Sequence, residues 1–100
     1  VREFIYVSDL VNIILLSLVK INKTTYFNVG SGESIKIFQL VKLIKNKTLF
    51  DKKIIHKNKI KDGSKRVCGD ENLKKNLNYK IMFDLDRGLD KTICWYKKFL

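Results

Sequence analysis

Tyr26-Phe27-Asn28-Val29-Gly30-Ser31-Gly32-Glu33-Ser34-Ile35 carries the order strand, tight turn, helix within ten residues. An apolar run meets two glycines in three positions, then a serine, then an amphipathic segment. Glycines at 30 and 32 permit a positive φ and a close approach by another backbone or a ligand. Ser34 is placed to accept from the orphan amides of a helix opening at Ile35. In open α/β sheets, ligands settle at such turns on the carboxyl ends of strands. Spacing alone leaves two readings open here, a plain connection and a phosphate cradle.

Outward from this turn, the chain reads as an alternation of short apolar runs and helical periods. Phe4-Ile5-Tyr6-Val7 is apolar at every position, the pattern of a strand covered on both faces, which places a strand over Glu3–Val7. Ser8 or Asp9 then caps a helix over Asp9–Ile21. Leu10, Val11, Ile13, Ile14, Leu15, Leu16, Leu18 and Val19 wrap most of its circumference, as in helices buried all round. Thr25–Val29 is the second strand. Ile35–Lys45 is a packed surface helix with Ile37, Phe38, Leu40, Val41 and Ile44 inward. Ile54-Ile55 among lysines reads as an edge strand over Lys53–Lys57, and Lys61-Asp62-Gly63-Ser64-Lys65 as a loop. Asp70 caps a short helix over Glu71–Leu77, and Asn78 stands where a left-handed residue ends it. The last helix covers Leu85–Phe99, with Leu85, Leu89, Thr92, Ile93, Tyr96 and Phe99 as its buried stripe. Gly88 within it requires a close neighbour to offset its cost of about 1 kcal/mol.

One hundred residues bound the answer to one small domain or a piece of a larger one. The chain opens at Val1 in a strand-like run, without Met or leader, and its most apolar helix has little here to bury it. Both features point to a fragment. Asn12 and Ser17 interrupt Leu10–Val19, so no window reaches the roughly 18 apolar residues of a membrane span. Twenty-one basic residues against 10 acidic ones leave a formal charge of +11. Only Arg2, Arg66 and Arg87 are arginines, whereas nucleic-acid readers rely on the guanidinium fork. The lysines from Lys42 to Lys65 permit a nucleic-acid-binding module, or a stand-alone interaction module. Phe50 is the only aromatic among them, so a stacking platform is missing. Cys68 and Cys94 are too few for a disulfide framework or a zinc site and read as reduced, cytoplasmic thiols. His56 has no acidic or nucleophilic neighbour in motif spacing.

Five blocks in order carry a resemblance. They are Arg2-Glu3-Phe4-Ile5-Tyr6-Val7-Ser8-Asp9-Leu10, Phe27-Asn28-Val29-Gly30-Ser31-Gly32-Glu33, Lys61-Asp62-Gly63-Ser64-Lys65-Arg66, Asp70–Tyr79, and Asp86-Arg87-Gly88-Leu89 with Thr92-Ile93 and Trp95-Tyr96. Together they resemble the second half of the extended short-chain dehydrogenases/reductases that act on nucleotide sugars, the NAD-dependent epimerase/dehydratase group. Within it, the Asp62–Arg66 block looks most like the GDP-L-fucose synthases. Ile60-Lys61 before Asp62-Gly63, and Asn78-Tyr79 after the short helix, depart from the usual pattern.

The resemblance implies an α/β fold: the C-terminal, substrate-binding lobe of a Rossmann-type enzyme plus a returning strand and helix of its parallel sheet. Residues 1–100 would form one partial domain, with the N-terminal NAD(P)-binding half and its catalytic Tyr and Lys lying elsewhere. The tyrosines at 6, 26, 79 and 96 are followed at +4 by Leu10, Gly30, Phe83 and Leu100, so none supplies the family's Tyr-x-x-x-Lys pair. No catalytic, cofactor or metal residue is therefore expected here. The resemblance also implies a nucleotide-diphosphate sugar as substrate, a homodimeric parent, and neither nucleic acid nor membrane as partner. It assigns Arg2 to the substrate diphosphate and sets Arg66 near the nucleotide sugar. Asn28 and the Gly30–Gly32 turn would shape the junction of the lobes.

Overall fold

The computed structural model describes residues 1–57 and 65–100; the loop over Lys61–Ser64 falls outside them. Among the described residues there are four helices and two very short strands. They are β1 (Arg2–Glu3), α1 (Val7–Lys20), β2 (Ser34–Ile35), α2 (Ile37–Thr48), α3 (Glu71–Leu77) and α4 (Leu85–Lys97). β1 and β2 pair antiparallel, Arg2 opposite Ile35 and Glu3 opposite Ser34.

The strands depart most from expectation. Only Glu3 of Glu3–Val7 lies in a ladder, and neither Thr25–Val29 nor Lys53–Lys57 is a strand. A strand exists through hydrogen bonds to a neighbour, and nothing described pairs with these runs. Tyr26, in the middle of the second, is 96% exposed. Ser34 belongs to β2 and does not cap. Lys36 is the N-cap of α2, its amide donating to Gln39 Oε1 at 3.3 Å. That helix also runs past Lys45, because Lys47 Nζ bridges Asp86 (2.8 Å) and Asp90 (2.6 Å), one turn apart on α4.

α1 begins at Val7, two residues early, with Tyr6 at its N-cap and no side-chain cap. Asp9 is thereby carried inside the helix and is fully buried. Its Oδ1 accepts from the Tyr79 hydroxyl (2.6 Å) and the Met82 amide (2.9 Å), and Oδ2 from the Phe83 amide (3.0 Å). A buried carboxylate is tolerated only when its lone pairs are taken up in this way. The acid also complements the positive end of the helix it sits in. Burial of Tyr79 and its bond to Asp9 push the phenol above its usual range.

α3 spans the expected Glu71–Leu77 and ends on Asn78 in the left-handed region (φ 50). Asp70 stands at the N-cap without a side-chain cap bond and pairs instead with Lys74 at 3.2 Å. Leu73 and Leu77, one turn apart, meet Ile13 of α1 to form the small buried core, with Ile5, Leu16, Phe27, Val29 and Ile81 around it. Lys20 Nζ closes the same α1–α3 contact by donating to the Leu77 carbonyl at 2.8 Å. α4 opens on Asp84, which accepts from the Arg87 amide at 2.8 Å. Gly88 is buried against Tyr6, whose Cβ would lie 3.2 Å from an added methyl group. The stripe of α4 is only partly used: Leu85, Leu89 and Ile93 are half-buried, whereas Tyr96 and Phe99 face out. In α2, Leu40 and Val41 are half-buried and Ile37, Phe38 and Ile44 are exposed.

The molecule is a slab, 51 × 36 × 18 Å, with a radius of gyration of 16.3 Å. A compact domain of this length has about 13 Å. Its surface is 8416 Å², against about 5,900 Å² for a compact monomer of its mass. Much of the excess is apolar. Leu10, Val11, Ile14, Leu15, Leu18 and Val19 on α1 are all exposed, the last two by 76% and 82%. That is the uncovered hydrophobic face the sequence requires.

Removing the Asp9 carboxylate strands two amides and a hydroxyl. Each buried unpaired group costs about 1–3 kcal/mol, so Asp9→Ala is expected to lower unfolding free energy by about 3–5 kcal/mol. Tyr79→Phe, which leaves the amides satisfied, should cost about 1–2 kcal/mol. Urea unfolding of the variants checks both, and equal losses would show that the amide bonds carry nothing.

Candidate functional site

Arg2 is the first residue of β1, and Arg66 forms a parallel bridge to it, the Arg66 amide donating to the Val1 carbonyl at 3.2 Å. Bridged neighbours project their side chains to one face of a sheet. Arg2 and Arg66, which are 64 positions apart, thus line one depression of about 450 Å³. Glu3, Asn28, Val29, Val67 and Cys68 complete its lining. The two expected site arginines are together. Arg2 Nη1 also reaches the Val1 carbonyl at 2.9 Å.

Glu3 holds this arrangement. Its Oε1 accepts from the Gly32 amide (2.8 Å) and the Gly69 amide (3.1 Å). Its Oε2 accepts from the amides of Cys68 and Gly69. One carboxylate therefore ties β1 to the Gly30–Gly32 turn and to the segment that carries Arg66. Both glycines need their freedom: Gly32 has φ +82 and Gly69 φ +78. Gly30 needs its size, since a Cβ there would meet the Gly69 carbonyl oxygen at 2.6 Å. Asn72 Nδ2 reinforces the junction by donating to the Asn28 carbonyl at 3.2 Å.

The glycine turn consequently does not cradle a phosphate. Its Gly32 amide is spent on Glu3, and β2 follows it before α2 opens on Lys36. A dinucleotide diphosphate needs free amides at the start of a helix directly after the turn, so the residues present do not fit NAD(P). Asn28 and the two glycines shape a junction between β1 and the segment over residues 68–72. Desolvation and the charges of Glu3 and Glu71 push the Cys68 thiol up, so it stays protonated beside the arginines. No group of histidine, cysteine and acidic residues fit for a metal ion occurs among the described residues. His56 lies edge-on to Phe38, 6.0 Å between ring centres, and is not among the residues that line the depression.

Sequence reasoning missed Glu3. The one available signal was an acid heading an otherwise apolar run, next to the arginine assigned to the site. An ion with no partner is costly in such a setting, and glycine-rich segments are where backbone amides are free to supply one.

No family model matches the chain. It is 30% identical to the probable GDP-L-fucose synthase 1 of Oryza sativa subsp. japonica, over 95% of this chain and 29% of the relative. GDP-L-fucose synthase 1 of Arabidopsis thaliana is also 30% identical, over 97% and 30%. The dTDP-4-dehydro-6-deoxyglucose reductase of Escherichia coli is 32% identical, over 92% and 29%. Among solved structures, the Bordetella bronchiseptica enzyme WbmF in complex with NADH superposes with a TM-score of 0.83 at 28% identity, over 97% of this chain and 29% of that one. The chain spans less than a third of the length of the relatives it matches.

Desolvation pushes the Glu3 carboxyl up, but the amides of Cys68, Gly69 and Gly32 outweigh it and hold the group below its ordinary 4.5. A depressed acid stabilises the fold fully above its unfolded value and loses that contribution as pH falls through the folded value. Stability should therefore drop below about pH 4.5 in the native chain, and Glu3→Gln should be less stable at pH 7 with a flatter acid limb. Parallel urea midpoints against pH for the two proteins would show that the carboxylate is not clamped.

Proposed function

We propose, for a chain that belongs over the stretch it spans to the extended short-chain dehydrogenases/reductases, the role of a lobe that grips the diphosphate of a nucleotide sugar. The whole protein would be an NAD(P)-dependent nucleotide-sugar epimerase, dehydratase or reductase of the GDP-L-fucose synthase kind. The cofactor and the catalytic Tyr and Lys would sit on an N-terminal Rossmann half outside these 100 residues. The same proposal includes a homodimeric whole protein and a cytoplasmic location.

The observation that carries the assignment is the pairing of Arg2 with Arg66 over one depression. Two guanidiniums held on one face match the two phosphates of a diphosphate, each able to make bidentate, charge-assisted bonds. The formal charge of +11 adds a favourable long-range field for an anionic ligand. The names of the relatives, two GDP-L-fucose synthases and a dTDP-sugar reductase, agree in pointing to nucleotide sugars. The slab shape and the exposed apolar face of α1 supply the surface against which a second lobe would close.

In the full-length protein, Arg2→Lys keeps the charge but loses the planar fork. A hydrogen bond to a charged group contributes about 1.5–3 kcal/mol, so sugar-nucleotide affinity should fall by a factor of about 10 to 100. Cofactor affinity should hold. Titration of both ligands decides it, and equal substrate dissociation constants would sink the assignment.

The 100-residue chain by itself is expected neither to bind NAD(P) at micromolar affinity nor to turn over sugar nucleotide, for want of the glycine fingerprint. Calorimetric titration with NADH and NADPH is the check. A micromolar isotherm would overturn the division of labour between the lobes.

A further inference from the structure

We infer that Glu3 is a positioning residue for ligand binding, acting through Arg66; the inference rests on the diphosphate assignment above. Arg66 lies two residues before Cys68, and the described residues from 65 to 70 that carry it form no helix. The described backbone bonds that anchor this segment to β1 are few. One is the Arg66 amide on the Val1 carbonyl, and the others are the Cys68 and Gly69 amides on Glu3. Glu3 shares β1 with Arg2, so the carboxylate sets the distance between the two guanidiniums.

A carboxylate is required by the count of donors. Three amides converge on its two oxygens, Gly32 and Gly69 on Oε1, Cys68 and Gly69 on Oε2. A glutamine of the same shape keeps one acceptor and turns a donor toward the remaining amide, so it cannot hold both segments. An acid beside an anion site would ordinarily repel the ligand. Here its charge is spread over the backbone amides of Gly32, Cys68 and Gly69.

The test is a double-mutant cycle in the full-length protein, read by calorimetric titration with GDP and with dTDP. Arg2→Ala and Arg66→Ala should each weaken binding at least tenfold. Glu3→Gln should weaken it about tenfold in the native background and less than twofold in the Arg66→Ala background, because its effect passes through Arg66. A purely structural role would give the same loss in both backgrounds and overturns the inference, as does no loss in either. Should Glu3→Gln fail to fold, Gly69→Ala displaces the same segment from the other side, since its Cβ would meet Glu71 Oε2 and its φ is +78. It should show the same background dependence, and an equal loss with and without Arg66 again overturns the inference. Normal binding in Arg66→Ala with loss in Arg2→Ala overturns the inference alone. Normal binding in both arginine variants, or no binding of either nucleotide by the native protein, overturns the diphosphate assignment along with it.

Discussion

The Asp9 carboxylate is the constraint on which the rest of the chain depends. It sits in the first turn of the most apolar helix, fully buried, and its three bonds go to residues 70 or more positions away. Those bonds fix where the segment after α3 turns. From there the Phe83 ring meets Tyr6 at 4.9 Å, Asp84 opens α4, and Gly88 slides against Tyr6. A buried acid is worth its desolvation only when every acceptor is used. Because two of the three donors are backbone amides, one geometry satisfies it, and the helix and the returning segment lock in one register.

Glu3 repeats the device at the other end of the same run. Both acids flank Phe4–Ser8, and both spend their charge on main-chain N–H groups of distant loops. Among only 10 acidic residues, two are thus withdrawn from surface ion pairing. Lysines and arginines are left in excess outside.

The shape has its own cause. α1 packs on α3, and α2 meets α4, where Lys47 bridges two acids, but no described element lies across the outer side of α1. The core is correspondingly small, three fully buried side chains. An α-helix apolar round most of its girth is stable against two layers, and this slab offers one. The extended runs Phe4–Tyr6 and Thr25–Val29 tell the same story: both are apolar as strands of a covered sheet are, and both lack a ladder here.

How much was legible follows from the range of the interactions. α3, its left-handed Asn78 and the packing of Gly88 were readable, because helix bonds close over four residues and the residue that ends a helix is its immediate neighbour. The uncovered face of α1 was readable too, since periodicity counts apolar positions without needing to know a partner. The assignment of Arg2 and Arg66 to one site came from motif order alone; only the fold shows them bridged on one face. Strand extents, the true start of α1, and the work of Asp9 and Glu3 were not readable. Ladders and carboxylate–amide bonds join residues dozens of positions apart, and nothing local records which distant amide is left free. The sequence by itself determined which segments are helical and which surface must be covered. The tertiary structure decided what its buried acids hold, because those bonds exist only once the distant loops have met.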